Sequence, residues 1–402
     1  MQLPAARFAR TFFGIMAAAL AALGARGASA EALLLIEADS GKVLHAENAT
    51  HPWYPASVTK LMTAYVTLSA MREGRIAADT LLAVSANAVA QQPSKMGFKA
   101  GTRVSVDNAL KMIMVKSAND MAVVLAEGVG GSMANFANEM NRAAQRLGMT
   151  QSSFVNPNGL PAENQVTSAR DLAILARALI REFPEYELYW RIPAIRFGKR
   201  VMRNYNPLID RYPGADGMKT GFICASGFNL VATATRGNKR LIAVVLGAPS
   251  GSARAQQAAL LLEKGFAANP LSWLTPSLGT VEALAPISAE PPDLHEEMCG
   301  KHRHHPGSEA EEEASSESDP SSAYAAMGHN LRADAQRVVL GPPMPSMPPI
   351  EVFVGSARKR PQVAASPSSG AATPVAKKPA AAKKPAAVAA PSAPKPQARP
   401  GS

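Results

Sequence analysis

The chain has 402 residues, with 42 Lys and Arg against 31 Asp and Glu, two cysteines and an apolar fraction of 47%. Of its 32 prolines, 21 fall in residues 269–402, a stretch with only three aromatic residues. A segment so poor in large apolar groups cannot offset its ordering entropy. The sequence therefore predicts one folded domain over residues 31–268, a largely disordered Pro/His/Glu-rich linker over 269–354 and a disordered Ala/Pro/Lys-rich tail over 355–402.

The net charge of +11 is concentrated at the two ends of the chain. Residues 1–30 contribute +3 and residues 355–402 contribute +9, which leaves −1 for residues 31–354. A folded body without a basic surplus argues against nucleic acid as a partner. We expect the basic tail to contact an anionic polymer or lipid surface instead.

Residues 1–30 have the organisation of a signal peptide. Arg7 and Arg10 precede an apolar run, and Ala28-Ser29-Ala30 supplies small residues for cleavage. An uncleaved anchor is the alternative, but the run is short for a bilayer span. The sequence therefore predicts an exported protein. With only Cys224 and Cys299, a disulfide framework is excluded, and a single Cys224–Cys299 bridge is not favoured.

The hydrophobic pattern alternates between strand-like and helical segments along the chain. Two strands are predicted in residues 31–50, around a turn at Asp39-Ser40-Gly41, and a hairpin in residues 226–248. Helices are predicted at 57–71, 85–92, 105–115, 117–128, 131–147, 168–182 and 252–267. Strands at both ends with helices between them indicate an α+β fold, an antiparallel sheet flanked by helices with a helical subdomain.

The candidate nucleophile is a serine whose base is not histidine. His45 and His51 are the histidines of the predicted domain, yet no Gly-x-Ser-x-Gly or His-Glu-x-x-His motif accompanies them. Ser57 and Lys60, three residues apart at a predicted helix start, would lie on one helix face. The alternative interpretation is a helix cap followed by a surface lysine.

A cluster of histidines and carboxylates lies in the linker. His302, His304 and His305 precede an acidic run from Glu309 to Asp319. Such clusters in polar segments usually keep the chain solvated. The sequence therefore predicts no metal site and no cofactor.

Two further motifs complete a recognisable set. Ser117-Ala118-Asn119 lies between two predicted helices, and Lys219-Thr220-Gly221 introduces a predicted strand running from Phe222 to Thr233. Ser-x-x-Lys, Ser-x-Asn and Lys-Thr-Gly in this order resemble the penicillin-binding and serine β-lactamase superfamily. Segments 154–160 and 216–222 resemble the low-molecular-weight D-alanyl-D-alanine carboxypeptidases, and the resemblance covers roughly residues 35–268.

The resemblance implies a β-lactamase/transpeptidase-like fold and a role for each residue of the first two motifs. Ser57 would attack the carbonyl of the penultimate D-Ala and form an acyl-enzyme. Lys60 would accept the Ser57 proton, with a pKa lowered by desolvation and by repulsion from Lys219. Ser117 would pass the proton to the leaving amine, and Asn119 would orient Lys60 and the substrate amide.

The same resemblance assigns the strand side of the site. Lys219 and Thr220 would bind the terminal carboxylate, and Gly221 would leave room for the peptide beside the strand. The backbone N–H groups of Ser57 and Phe222 would form the oxyanion hole. Arg254 would assist carboxylate binding, with a solvent-facing helix charge as the alternative.

Three features depart from the family pattern. Ile223 and Cys224 follow the Lys-Thr-Gly motif where relatives often carry a polar residue, and Tyr205 lies where the resemblance leads us to expect arginine. After residue 269 neither an all-β second domain nor an amphipathic anchor is apparent.

The resemblance predicts a penicillin-sensitive carboxypeptidase that removes the terminal D-Ala from peptidoglycan stem pentapeptides, with β-lactam antibiotics as inhibitors. A DD-endopeptidase that cuts cross-links has the same motifs, and a non-catalytic penicillin- or wall-binding module is a further alternative. A class A β-lactamase is disfavoured because the middle motif is Ser-Ala-Asn rather than Ser-Asp-Asn.

Overall fold

A computed structural model describes residues 31–267, 276–301, 309 and 340–355. The predicted signal peptide, the basic tail and most of the His/Glu cluster lie outside these residues. The described chain is organised around a five-stranded antiparallel sheet with the strand order β2-β1-β9-β8-β7, which places β7 at one edge.

The strands form three sheets. The five-stranded sheet consists of β1 (Ala32–Glu37), β2 (Val43–Glu47), β7 (Ala215–Ile223), β8 (Gly227–Arg236) and β9 (Lys239–Ala248). The two smaller sheets consist of the pair β3 (Leu81–Ala83) and β4 (Arg103–Ser105), and of β5 (Ala194–Phe197), β6 (Arg200–Arg203) and β10 (Ile350–Glu351).

Ten α-helices surround the sheets in the described part of the chain. They are α1 (Lys60–Arg72), α2 (Ala86–Ala90), α3 (Val106–Val115), α4 (Asn119–Gly130), α5 (Met133–Leu147), α6 (Ala169–Glu182), α7 (Leu188–Arg191), α8 (Leu208–Arg211), α9 (Gly251–Phe266) and α10 (His295–Cys299). None of these helices combines the length and the apolar character that crossing a bilayer requires.

The core lies on both faces of the five-stranded sheet. In β9, every residue from Leu241 to Ala248 is buried, and in β8 every residue from Gly227 to Ala234 is buried. Alternate side chains of a strand point to opposite faces, so unbroken burial means that both faces are covered. Helices α6 and α9 pack against β9 and supply part of that cover.

The predicted α+β architecture is confirmed, with one correction at the third motif. Lys219, Thr220 and Gly221 lie inside β7, which ends at Ile223, and not at the start of a strand running on to Thr233. The chain turns back at Ser226, whose hydroxyl accepts a hydrogen bond from the Ile223 amide (3.2 Å), and Gly227 then begins β8 with φ of +65°. The motif therefore lies in the middle of an edge strand.

Parts of the predicted linker are packed onto the body, contrary to the expectation of disorder. Val281, Leu294 and Met298 are buried, and Ile350 and Glu351 pair in parallel with β5 while Val352 is buried beside them. Average composition hides such features because a few well-placed apolar residues are enough to dock a short segment.

The two cysteines form a disulfide, so the expectation against pairing was wrong. Cys224 and Cys299 are joined with their Cα atoms 5.6 Å apart, across 75 positions of sequence. The reason is the docking of α10: the Leu294 amide donates to the Ala225 carbonyl (3.0 Å), which places Cys299 beside the end of β7. This long-range packing has no local sequence signature.

Candidate active site

The first motif forms a single helical turn that runs into α1. Residues Ala56–Thr59 form a 3₁₀ turn, and Lys60 begins the α-helix. Ala56 has φ of +48°, a sparsely populated conformation for a residue with a Cβ. Such backbone strain concentrates at functional sites. The turn brings the Lys60 Nζ atom to 2.9 Å from Ser57 Oγ.

Lys60 is fully buried and has three hydrogen-bond acceptors. Besides Ser57 Oγ, its ammonium donates to Asn119 Oδ1 (2.8 Å) and to the backbone carbonyl of Asn158 (2.7 Å). These acceptors fix the amine beside the serine hydroxyl. The alternative of a surface lysine behind a helix cap is therefore wrong.

The surroundings of Lys60 favour its neutral form. Burial lowers its pKa well below the ordinary value of about 10.4, and the charge of Lys219 lowers the pKa further. Both causes are those predicted from the sequence. Asp120 and Glu309 oppose them more weakly. An amine that spends part of its time neutral can accept a proton from the adjacent hydroxyl.

The second motif lies at the junction between α3 and α4. Ser117 adopts a left-handed conformation (φ +59°) and is buried, and its Oγ has no hydrogen-bond partner within the described residues. Asn119 is also buried; it accepts from Lys60 and donates through Nδ2 to the Gln92 carbonyl (2.9 Å). The structure thus joins the first two motifs through Asn119, and leaves the Ser117 hydroxyl available.

The third motif presents a second buried lysine. Lys219 is 2% exposed, and its Nζ donates to the Thr220 carbonyl (2.9 Å). The Thr220 hydroxyl is buried with no partner among the described atoms. Desolvation, together with the charge of Arg254, lowers the pKa of Lys219 to about 8 against the opposing effect of Glu309. At neutral pH Lys219 therefore remains mostly cationic.

Gly221 brings β7 against the start of the first motif. A Cβ at this position would lie 2.8 Å from the Ser57 amide nitrogen and 2.9 Å from that of Val58. Real Cβ contacts are longer, so only glycine allows this approach. The prediction gave Gly221 a different reason, namely room for a substrate. The close approach also places the strand residue Phe222 next to the turn that carries the Ser57 amide.

Arg254 is buried, so the alternative of a solvent-facing helix charge is wrong. Its Nη1 donates to the Asn229 carbonyl (3.3 Å) and its Nη2 to the Tyr205 carbonyl (3.3 Å). Its Nη1 also forms an ion pair with Glu309 (2.6 Å). The positive charge of Arg254 acts on Lys219 and contributes to lowering the pKa of that lysine. Arg254 and Lys219 therefore belong to one cationic pocket.

The departures noted in the sequence have structural counterparts. The Tyr205 hydroxyl accepts a hydrogen bond from the Lys116 ammonium, which also lies 4.7 Å from the centre of the tyrosine ring. The charge of Lys116 therefore lies at the Tyr205 side chain. Cys224 supplies no polar group to the cleft because it is held in the disulfide.

Sequence reasoning missed the contribution of residues 156–159. The Asn158 carbonyl is an acceptor for Lys60, and Gly159 has φ of +81°, with a Cβ position only 1.8 Å from the Ala56 carbonyl oxygen. The Asn-Pro-Asn-Gly sequence predicts a turn, but a backbone acceptor carries no side-chain signature. Asn229 was missed likewise; its Nδ2 donates to the Tyr54 carbonyl (2.9 Å), just before the first motif.

The chain is similar to known D-alanyl-D-alanine carboxypeptidases in sequence and to penicillin-binding proteins in fold. D-alanyl-D-alanine carboxypeptidase DacA of Haemophilus influenzae is 38% identical over 244 residues, which cover 60% of this chain and 62% of the relative. The chain thus spans about three fifths of the length of the curated relative that it matches. The fold is similar to that of penicillin binding protein 5 from H. influenzae, with a TM-score of 0.57 at 37% identity over 59% of this chain and 71% of that chain.

The similarity to a second solved structure extends over nearly all of that structure's chain. Penicillin-Binding Protein D2 from Listeria monocytogenes, solved in its ampicillin bound form, has a TM-score of 0.52 at 31% identity over 59% of this chain and 96% of that chain. These likenesses confirm the predicted fold class. The family model of peptidase S11, described as D-alanyl-D-alanine carboxypeptidase, matches residues 19–250. The chain therefore belongs to the peptidase S11 family.

Proposed function

We propose that the protein is a serine-type D-alanyl-D-alanine carboxypeptidase that removes the terminal D-Ala from peptidoglycan stem pentapeptides and is inhibited by β-lactams. The observation that carries the proposal is the fully buried Lys60 Nζ atom 2.9 Å from Ser57 Oγ. A non-catalytic binding module has no need of a desolvated amine next to a hydroxyl. Family membership supports the same activity.

The proposed chemistry has two half-reactions. In the first, Ser57 Oγ attacks the penultimate carbonyl carbon while neutral Lys60 takes the hydroxyl proton. The backbone N–H groups of Ser57 and Phe222 stabilise the oxyanion. The Ser117 hydroxyl passes a proton to the D-Ala nitrogen as the peptide bond breaks and receives in its place the proton held by Lys60, which leaves Lys60 neutral for the next step. In the second, water attacks the acyl-enzyme ester with Lys60 as the base, and Ser57 is released with its proton restored.

Substrate orientation follows from the cationic pocket and the edge strand. The carboxylate of the terminal D-Ala is bound by Lys219, Arg254 and the Thr220 hydroxyl, which lacks a partner within the described residues. The peptide backbone lies along the free edge of β7 and adds a strand to the sheet. Asn119 holds Lys60 and contacts the substrate amide.

The decisive test replaces the nucleophile. We expect Ser57→Ala to abolish both covalent labelling by penicillin and release of D-Ala from a defined pentapeptide, measured by mass spectrometry. Ser40→Ala, at an exposed turn serine, is the matched control and should retain both. Release of D-Ala by Ser57→Ala at the wild-type rate would refute the assignment. A cross-linked muropeptide dimer in the same assay separates carboxypeptidase from endopeptidase activity.

We also propose that residues 1–30 direct export to the periplasm, that residues 31–268 form the catalytic domain, and that the basic tail retains the enzyme on anionic envelope surfaces. The sequence order of charges and apolar residues at the start of the chain supports export. The nine Lys and Arg without an acidic residue in 355–402 support electrostatic retention. Retention on purified sacculi should fall with added salt and with deletion of 355–402; equal retention of the truncated chain would contradict this proposal.

A further inference from the structure

A carboxylate of the chain itself occupies the cationic pocket. Glu309 Oε1 lies 2.6 Å from Arg254 Nη1, and the side chains of Glu309 and Arg254 are 10% and 4% exposed. The negative charge of Glu309 also acts on Lys60 and Lys219, whose pKa values it raises. Glu309 therefore lies among the groups that surround the proposed nucleophile, although it belongs to the His/Glu cluster and follows the end of α9 at Phe266 by 43 residues.

The positive charge of the buried side chains in the pocket explains why a carboxylate binds there. The two cationic side chains of the pocket, those of Lys219 and Arg254, are buried and so removed from water. Buried charges are costly unless they are paired. The terminal D-Ala of the proposed substrate supplies one carboxylate to the same groups. A glutamate side chain supplies the same functional group at the same place.

The disulfide keeps Glu309 close to the pocket. Cys299 is bonded to Cys224, which lies three residues beyond Gly221, and Glu309 follows Cys299 by ten residues. Short tethers give effective concentrations in the millimolar range. Even weak affinity of a carboxylate for the pocket then produces substantial occupancy.

We propose that Glu309 is an internal mimic of the substrate carboxylate, which occupies the terminal D-Ala subsite and must leave before substrate binds. This inference rests on the proposed function. Because the contact competes with substrate, it raises KM and leaves kcat unchanged. If Glu309 occupies the pocket nine-tenths of the time, the apparent affinity for substrate is about tenfold weaker than the intrinsic one.

The test compares Glu309→Gln with Glu297→Gln, an exposed control on α10, in the full-length chain. Glu309→Gln should lower KM for a pentapeptide about tenfold at unchanged kcat, and should raise the second-order rate constant for acylation by benzylpenicillin by a similar factor. Glu297→Gln should match the wild type. A KM for Glu309→Gln within twofold of the wild type, or a change confined to kcat, overturns the proposal.

A second measurement does not depend on catalysis. The rate of trypsin cleavage after Lys301, an exposed residue eight positions before Glu309, reports release of Glu309 from the pocket. Cleavage should be several-fold faster in Glu309→Gln than in the wild type, and saturating benzylpenicillin should accelerate it in the wild type alone. Equal cleavage of the two unliganded chains overturns the internal contact. Faster cleavage without D-Ala release by either chain would leave the contact standing and refute the proposed function instead.

Discussion

The two sides of the cleft each bury a lysine, but their surroundings lower the pKa of the two lysines to different extents. On the helical side, Lys60 donates to Ser57, Asn119 and the Asn158 carbonyl. On the strand side, the Lys219 ammonium donates to the neighbouring Thr220 carbonyl. Burial lowers both pKa values, yet that of Lys60 falls well below its ordinary value whereas that of Lys219 falls to about 8.

The difference separates a base from an anion-binding group. Lys219 is one of the causes that keep Lys60 neutral, since its charge adds to the effect of burial. In return, a carboxylate in the cationic pocket stabilises the charge of Lys219, as Glu309 does. One lysine must lose its proton for the chemistry to begin, and the other must keep it for the substrate to bind.

Replacing Lys60, the proposed base, has the largest expected effect on activity. Lys60→Arg keeps the positive charge but introduces a guanidinium that does not deprotonate in proteins. Acylation by benzylpenicillin should fall by about 10³-fold or more, since a general base and its orientation are lost together. Stopped-flow or mass-spectrometric labelling measures the rate.

The matched control for this prediction is Lys219→Arg, which keeps a cation where the proposal requires only a cation. That variant should lose far less activity than Lys60→Arg. If the two arginine variants lost activity to a similar extent, the proposal that Lys60 is the base and Lys219 only a cation would be contradicted.

The second largest effect is expected at Gly221, where β7 on the strand side of the cleft approaches the Ser57 amide on the helical side. In Gly221→Ala the new Cβ would meet the Ser57 amide nitrogen at 2.8 Å, so β7 or the 56–59 turn must shift. A displaced oxyanion donor costs about 2.7–4 kcal/mol in other hydrolases. We therefore expect kcat to fall about 10²–10³-fold. Gly341→Ala is the control, because a Cβ at that glycine meets no atom within 4 Å and its φ lies outside the left-handed region. A Gly221→Ala enzyme with normal kcat would show that the close approach is dispensable.

The sequence predicted the local parts of this arrangement well. The spacing of Ser57 and Lys60 brings hydroxyl and amine together once a helix begins there, and the helix that carries Asn119 follows from periodicity. The strand that carries Lys219 was predicted to begin only at Phe222, whereas it runs from Ala215 to Ile223. Long-range packing decided the rest. The burial of Arg254, the Asn158 carbonyl as an acceptor and the Cys224–Cys299 bond each depend on segments far apart in sequence, which no local pattern specifies.

The pH dependence of kcat/KM tests the different roles of Lys60 and Lys219. Below the lowered pKa of Lys60 the amine is protonated and cannot accept the Ser57 proton, so kcat/KM should fall on the acid side. Above the pKa of about 8 of Lys219, its charge is lost and carboxylate binding weakens. At pH 9, kcat/KM should be roughly tenfold below its plateau. Lys219→Arg should remove this basic limb while leaving the acid limb in place; a basic limb unchanged in that variant would assign it to another group.

The disulfide should matter least to the chemistry, because it lies beside the cleft rather than between its two sides. Cys224→Ala/Cys299→Ala opens a bond that spans 75 positions. The free energy of unfolding should fall by at most about 4.5 kcal/mol on the chain-entropy account, measured by urea denaturation. If Glu309 is held near the pocket by this bond, KM should also fall, though by less than in Glu309→Gln, while kcat stays within about twofold. A large loss of kcat instead would mean that the bond positions β7, and with it the Phe222 amide, for the reaction itself.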